Sequence, residues 1–123
     1  YGFIDLRRIL LPVDHQPDAQ EAVIRAVRAA DAFGDESVEV VILHVNGSGM
    51  PRFNRPPSQV CTWKEMRREG DVAAAILGAA QEDVDLIIMA TEGRQGIVDA
   101  LRGSVTERVV RGAPCPVLAV PAR

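Results

Sequence analysis

What the chain has little of narrows its chemistry before any motif is sought. Its 123 residues include one lysine, Lys64, and no glycine precedes it, so the Gly-Lys-Ser/Thr of a P-loop is absent. The formal net charge is -3. Its cations are scattered arginines, whereas a surface that grips nucleic acid through phosphates needs them clustered, so no nucleic-acid partner is expected. Cys61 and Cys115 are too few and too far apart for a disulfide framework or a four-cysteine metal site. No secretory segment stands ahead of them, and both are expected to be buried free thiols in the cytoplasm. No apolar run approaches the roughly 20 residues of a membrane helix, so no membrane partner is expected. The sequence opens at Tyr1 without a methionine, and a few leading residues are expected ahead of it.

What is present fits an ordinary globular domain. Apolar residues are 47% and charged residues 25% of the chain, and residues 1–123 are expected to form one domain able to bury roughly two thirds of its unfolded surface. Arg8 to Asp14 (RILLPVD) is a short apolar run that predicts a buried parallel strand with Asp14 at its carboxyl end. From Asp18, the residues Ala19, Ala22, Val23, Ala26, Val27, Ala30 and Phe33 keep helical spacing up to Gly34. Asp18 with Glu21 resembles a capped start. Ser37 to Val45 (SVEVVILHV) is rich in β-branched residues and predicts a second strand.

Asn46 to Ser58 (NGSGMPRFNRPPS) has no apolar period and predicts a loop, a shortened crossover without a proper helix. Val60 to Met66 predicts a third strand near an edge. Asp71 caps a helix whose Val72, Ile76, Leu77 and Ala80 share a face, and Leu86 to Ala90 (LIIMA) predicts a central strand. A glycine-bearing loop, a helix from Ser104 and a last strand, Pro116 to Val120, complete the order. This alternation predicts an α/β fold: an open five-stranded parallel sheet with helices on both faces.

In such sheets ligands bind beyond the carboxyl ends of the strands, where strand order reverses. If the order is 3-2-1-4-5, Asp14 faces the stretch from Ala90 to Gly96 across that crevice. Ser104 and Glu107 match the Ser-x-x-Glu capping box, and a helix amino end suits a phosphate. The spacing alone fits equally a helix that is merely capped and glycines that merely turn a loop. His44, inside an apolar strand, is expected to be a core histidine with a backbone partner. His15 is either solvated or close to a ribose or phosphate, and Arg94 and Arg102 read as exposed.

The stretches LLPVD, LHV, REGDVAAAIL, DLIIMATEGRQG and GSVTERVVRGAPCPVLAVP closely resemble the universal stress protein family across almost the whole chain. Nucleotide-binding members carry Gly-x2-Gly-x9-Gly-Ser/Thr after strand four. Here Gly93, Gly103 and Ser104 match, and Ala90 stands at the first glycine. The resemblance implies a Rossmann-like sheet of the adenine nucleotide alpha hydrolase type, in order 3-2-1-4-5.

It further implies that Asp14 hydrogen-bonds the adenosine part, with Pro12 and Val13 shaping its pocket and Val45 contacting the adenine. Met89 and Ala90 would line the nucleotide, and Gly93 and Gly103 would admit phosphate oxygens to the backbone. Ser104, Val105 and Thr106 would supply N–H and hydroxyl donors. The cofactor implied is ATP, with magnesium brought by its phosphates, in a stress-response role with at most slow hydrolysis. The partner implied is a second copy of the chain, paired through the edge strand Pro116 to Val120. The alternative within the family is a dimeric interaction module that binds no nucleotide. The Ser-Gly-Gly-x-Asp-Ser loop of adenylating pyrophosphatases and the paired acids of phosphoacceptor domains are both missing after strand one.

Overall fold

The computed structural model describes residues 5–47, 49–92 and 105–122. Its elements are β1 (Arg8–Pro12), α1 (Gln20–Phe33), β2 (Val38–Val45), β3 (Cys61–Arg68), α2 (Val72–Ala80), β4 (Leu86–Thr91), α3 (Val105–Gly112) and β5 (Val117–Pro121). The five strands form one parallel sheet, as the alternation predicts, in the order β3-β2-β1-β4-β5 that the resemblance implies. Apolar residues run continuously along the inner strands because both faces are covered. Ile9, Leu11, Val40, Ile42 and Ile88 project into a core under α1. Their strand neighbours Leu10, Val41, Leu43, Ile87 and Met89 project into a second core under α2 and α3. This division follows the two-residue side-chain period of a strand.

Several boundaries differ from the sequence expectation. The first strand ends at Pro12 rather than Asp14, because Asp14 Oδ1 accepts the His15 amide at 2.7 Å and the chain turns away. The first helix starts at Gln20, with Ala19 at its cap and no side-chain cap bond. Asp18 serves it from one residue upstream by accepting the Gln20 amide at 2.9 Å, so the Asp18–Glu21 box does not form. Ala22, Val23, Ala26, Val27 and Ala30 are buried as the spacing predicts, but Phe33 is 54% exposed. The cause is the tight return at Gly34. An added Cβ there would sit 2.6 Å from the Ala30 carbonyl oxygen and against Val38 Cγ2, and Phe33 is left outside the turn.

On α2 the fully buried residues are Ala73, Ile76, Ala79 and Ala80. Val72 and Leu77 lie at the border, with Leu77 against Gly112 of α3. The third strand runs on to Arg68, since all eight residues of β2 find a partner in it. The last two strands each end one residue later than expected, at Thr91 and Pro121, which pair with each other. Cys61 and Cys115 are free thiols, though half-buried rather than buried.

The crossover between β2 and β3 contains no helix among its described residues. Side-chain bonds replace it. Gln20 on α1 forks onto the backbone of Asn54, donating to its carbonyl at 2.9 Å and accepting its amide at 2.7 Å. Ser58 donates to Asp31 at 2.7 Å. Arg55 lies over the Trp63 ring, 5.0 Å from its centre, and pairs with Glu65 at 2.9 Å.

Candidate functional site

The strand order reverses between β1 and β4, and there the ladder is short. The register joins β1 to β2 at five positions, whereas β1 meets β4 only at Ile9↔Leu86 and Leu10↔Ile87. The Val13 amide donates to Leu43 of β2 at 2.8 Å. Backbone groups alternate sides along a strand, so the residue next facing β4 after Leu10 is Pro12, which has no N–H to give. Pro12 thus stops the β1–β4 ladder short of the strand ends. The two strands therefore run on without ladder bonds at the carboxyl edge of the sheet, where open α/β sheets place their ligands.

Pro12, Val13, Asp14, Val45, Met89 and Ala90 all stand on that edge. They do not share one face: Val13 and Ala90 pack on the α1 side, Val45 and Met89 on the α2 and α3 side. Asp14 is exposed. Ala90 is a paired strand residue opposite Val120, and the only non-glycine residues with positive φ among those described are Asn46 and Asp83. Alanine is therefore unstrained where the family pattern has glycine, and its methyl group packs against the α1-side core. Val105 and Thr106 form the first turn of α3, Val105 exposed and Thr106 buried. Gly93, Gly103 and Ser104, like Arg94, Gly96 and Arg102, lie outside the described residues.

His44 is the core histidine expected, 4% exposed. Its Nδ1 lies 3.1 Å from the Val13 carbonyl oxygen. A carbonyl only accepts, so Nδ1 carries the proton and fixes the backbone immediately before Asp14. The exposed His15 ring stands edge-on to His44, centres 5.6 Å apart.

Sequence reasoning expected the Asp71 cap but missed three features at this edge: the buried Thr91 hydroxyl, the Asn46 fork and the pairing of Asp71 with Arg108. Thr91, next to Ala90 at the end of β4, is 3% exposed, and its Oγ1 has no hydrogen-bond partner among the described residues. Asn46, at φ 66°, forks onto Gly70, with both bonds at 2.8 Å. Asp71 caps α2 through the Ala74 amide and is also held by both terminal nitrogens of Arg108 on α3, at 3.0 and 2.7 Å. The hydrogen bonds from Arg108, followed by that from Ala74, hold the Asp71 carboxyl below its ordinary range. The contribution of this half-exposed pair to stability is small, is present at neutral pH and is lost as acid protonates Asp71 below the ordinary carboxylate range. Only the Asp71 cap carries a local signal in the sequence.

Two grooves among the described residues lie elsewhere. One of about 660 Å³ runs between Gln20 of α1 and residues 50–55 of the crossover. Another of about 910 Å³ sits near the amino ends of the strands, where six acids outnumber Arg7 and Arg8, which pair with Asp5 and Glu39. That groove repels anions. Burial raises the Cys61 thiol, opposed by its hydrogen bond with Ser58. Burial also raises Cys115, assisted by the charge of Asp85. Both cysteines are expected to react with iodoacetamide about tenfold more slowly in the native protein than after unfolding, which mass spectrometry of each peptide measures. Equal rates in the two states would contradict this.

A parallel sheet with helices on both faces, whose ladder stops early at the strand-order reversal, defines an open α/β protein with its candidate site on the carboxyl edge. The model of the universal stress protein family matches residues 57–121, more than half of the chain. The chain belongs to that family. It is 27% identical to a universal stress protein of Methanocaldococcus jannaschii over 93% of this chain and 81% of that one. Among solved structures, a universal stress protein in complex with cAMP superposes with a TM-score of 0.71 at 20% identity, covering 97% of this chain and 99% of that one. The universal stress protein of Archaeoglobus fulgidus in complex with dAMP gives 0.59 at 20% identity, covering 96% and 99%. No helix among the described residues is long and apolar enough to cross a membrane.

Proposed function

We propose that the protein binds an adenine nucleotide, ATP by the family pattern, at the carboxyl edge where Pro12 ends the β1–β4 ladder. The observation that carries this reading is the early end of the β1–β4 ladder at the strand-order reversal. The residues there fit such a ligand. Apolar Val13, Val45 and Met89 stand at the strand ends for a base, and exposed Asp14 offers a carboxylate to ribose hydroxyls. Thr91 adds a buried hydroxyl that no group among the described residues satisfies. The first turn of α3, with Val105 and Thr106, offers amides to phosphate. Two universal stress proteins of similar fold were solved with cAMP and with dAMP, which agrees with an adenine ligand.

Among the described residues no cluster of three or more acidic, histidine or cysteine side chains is set to hold a metal. Magnesium would enter as the companion of the phosphates, beside Asp14. On this reading the protein is a nucleotide-dependent binding module of a stress response rather than an efficient catalyst. It acts in the cytoplasm as a homodimer through β5, an edge strand on which Leu118 is 39% exposed. Titration calorimetry with ATP tests the ligand. One saturable site per chain is expected, and no heat at millimolar ATP from folded protein would overturn the reading.

A further inference from the structure

Helix α3 begins with the residues proposed to face phosphate, so whatever fixes its amino end tunes that part of the site. Arg108 stands one turn into α3, and both its terminal nitrogens bond the carboxylate of Asp71, at 3.0 and 2.7 Å. Such forked pairs set orientation as well as distance. Asp71 is itself immobilised: it caps α2 at the Ala74 amide, 2.9 Å away. The preceding residue, Gly70, is gripped at N–H and C=O by the Asn46 side chain, both bonds 2.8 Å. The Asn46 amide in turn donates to the Arg68 carbonyl at 2.8 Å. Asn46 follows Val45, the residue assigned to the adenine. An unbroken series of short polar contacts thus runs from the adenine end of the site to the helix assigned to the phosphates.

We propose that Asp71 and Arg108 form a positioning clamp that holds the amino end of α3 in register with the sheet rim, and so selects for the phosphate part of the nucleotide. This rests on the nucleotide reading above. Both side chains are half-exposed, and exposed pairs add little to global stability. The consequence falls on geometry at the site. Arg108 acts through α3 rather than by touching phosphate, because its fork is filled by Asp71.

The test compares ATP with adenosine, by calorimetry, on the intact protein. Asp71→Asn keeps an N-cap side chain, since asparagine caps as well as aspartate, but weakens the fork. Both Asp71→Asn and Arg108→Gln are expected to weaken ATP binding by about fivefold and leave adenosine binding unchanged, with Arg108→Lys intermediate. The Asp71→Asn/Arg108→Gln double variant is expected to lose no more than either single one, as for two members of one contact. If Arg108 instead met the phosphates directly, removing the competing charge at Asp71 would strengthen ATP binding, and that result overturns the clamp. Equal losses for ATP and adenosine also overturn it. A parent protein that binds neither ligand removes the nucleotide reading and the clamp with it. A parent that binds both, with variants that keep its preference for ATP, removes the clamp alone.

Discussion

Ile88→Ala is expected to lower the free energy of unfolding by about 3 kcal/mol, read from urea denaturation midpoints at constant slope. Ile88 is fully buried in the middle of β4, in the core under α1. Truncation removes three carbons and leaves a cavity that β1 on one side and β5 on the other do not close by moving, since both are held in register with β4. For a domain of ordinary stability that is a large share of the total. Phe33→Ala, also an apolar truncation, is expected to change stability by no more than about 0.5 kcal/mol, because the ring is 54% exposed. If the two variants lose similar amounts, the placement of the core beneath α1 is wrong.

Asp14→Ala is expected to weaken ATP binding about 10- to 100-fold while leaving the unfolding midpoint nearly unchanged. The functional loss follows from removing charge-assisted hydrogen bonds to ribose hydroxyls, at roughly 1.5–3 kcal/mol. The stability stays because Asp14 is exposed and its one side-chain bond among the described residues is to the neighbouring His15 amide. Asp14→Asn retains part of the affinity, since its amide oxygen still accepts. Calorimetry on the three proteins measures the order expected, with the parent tightest, then Asn, then Ala. An alanine variant that binds as tightly as the parent would remove Asp14 from the site.

How much of this was legible in the sequence follows from the range over which each feature is specified. The alternation of strands and helices is local, carried by runs such as VEVVILHV and LIIMA, and the observed sheet order agrees with the one expected. The burial of His44 against a backbone partner was likewise readable, because a histidine within an apolar strand must satisfy its ring. Helix ends were less so. The side-chain period marks Phe33 as apolar-faced, but its exposure depends on how closely Gly34 returns to Ala30 and Val38, a tertiary matter.

The same distinction runs through the site. Asp14, Val45 and Ala90 lie at the carboxyl edge because strand ends are readable. Their distribution over two faces is visible only once the register is known. The sequence shows Pro12, yet its effect on the β1–β4 ladder appears only with β4 placed beside it. The Asp71–Arg108 pair joins residues 37 positions apart on different helices, and no local pattern encodes it. Alanine at position 90 proves compatible with the backbone because that residue is an ordinary paired strand position.

The most direct test of an adenine nucleotide at the carboxyl edge is an amide NMR titration of the isotopically labelled protein with ATP. The nucleotide reading predicts saturable shifts confined to the carboxyl edge, at Val13, Asp14, His15, Val45, Ala90, Val105 and Thr106. The amides of residues 50–55 and those at the amino ends of the strands should stay still. Shifts centred on either of those two grooves, or none at saturating ATP, would contradict it.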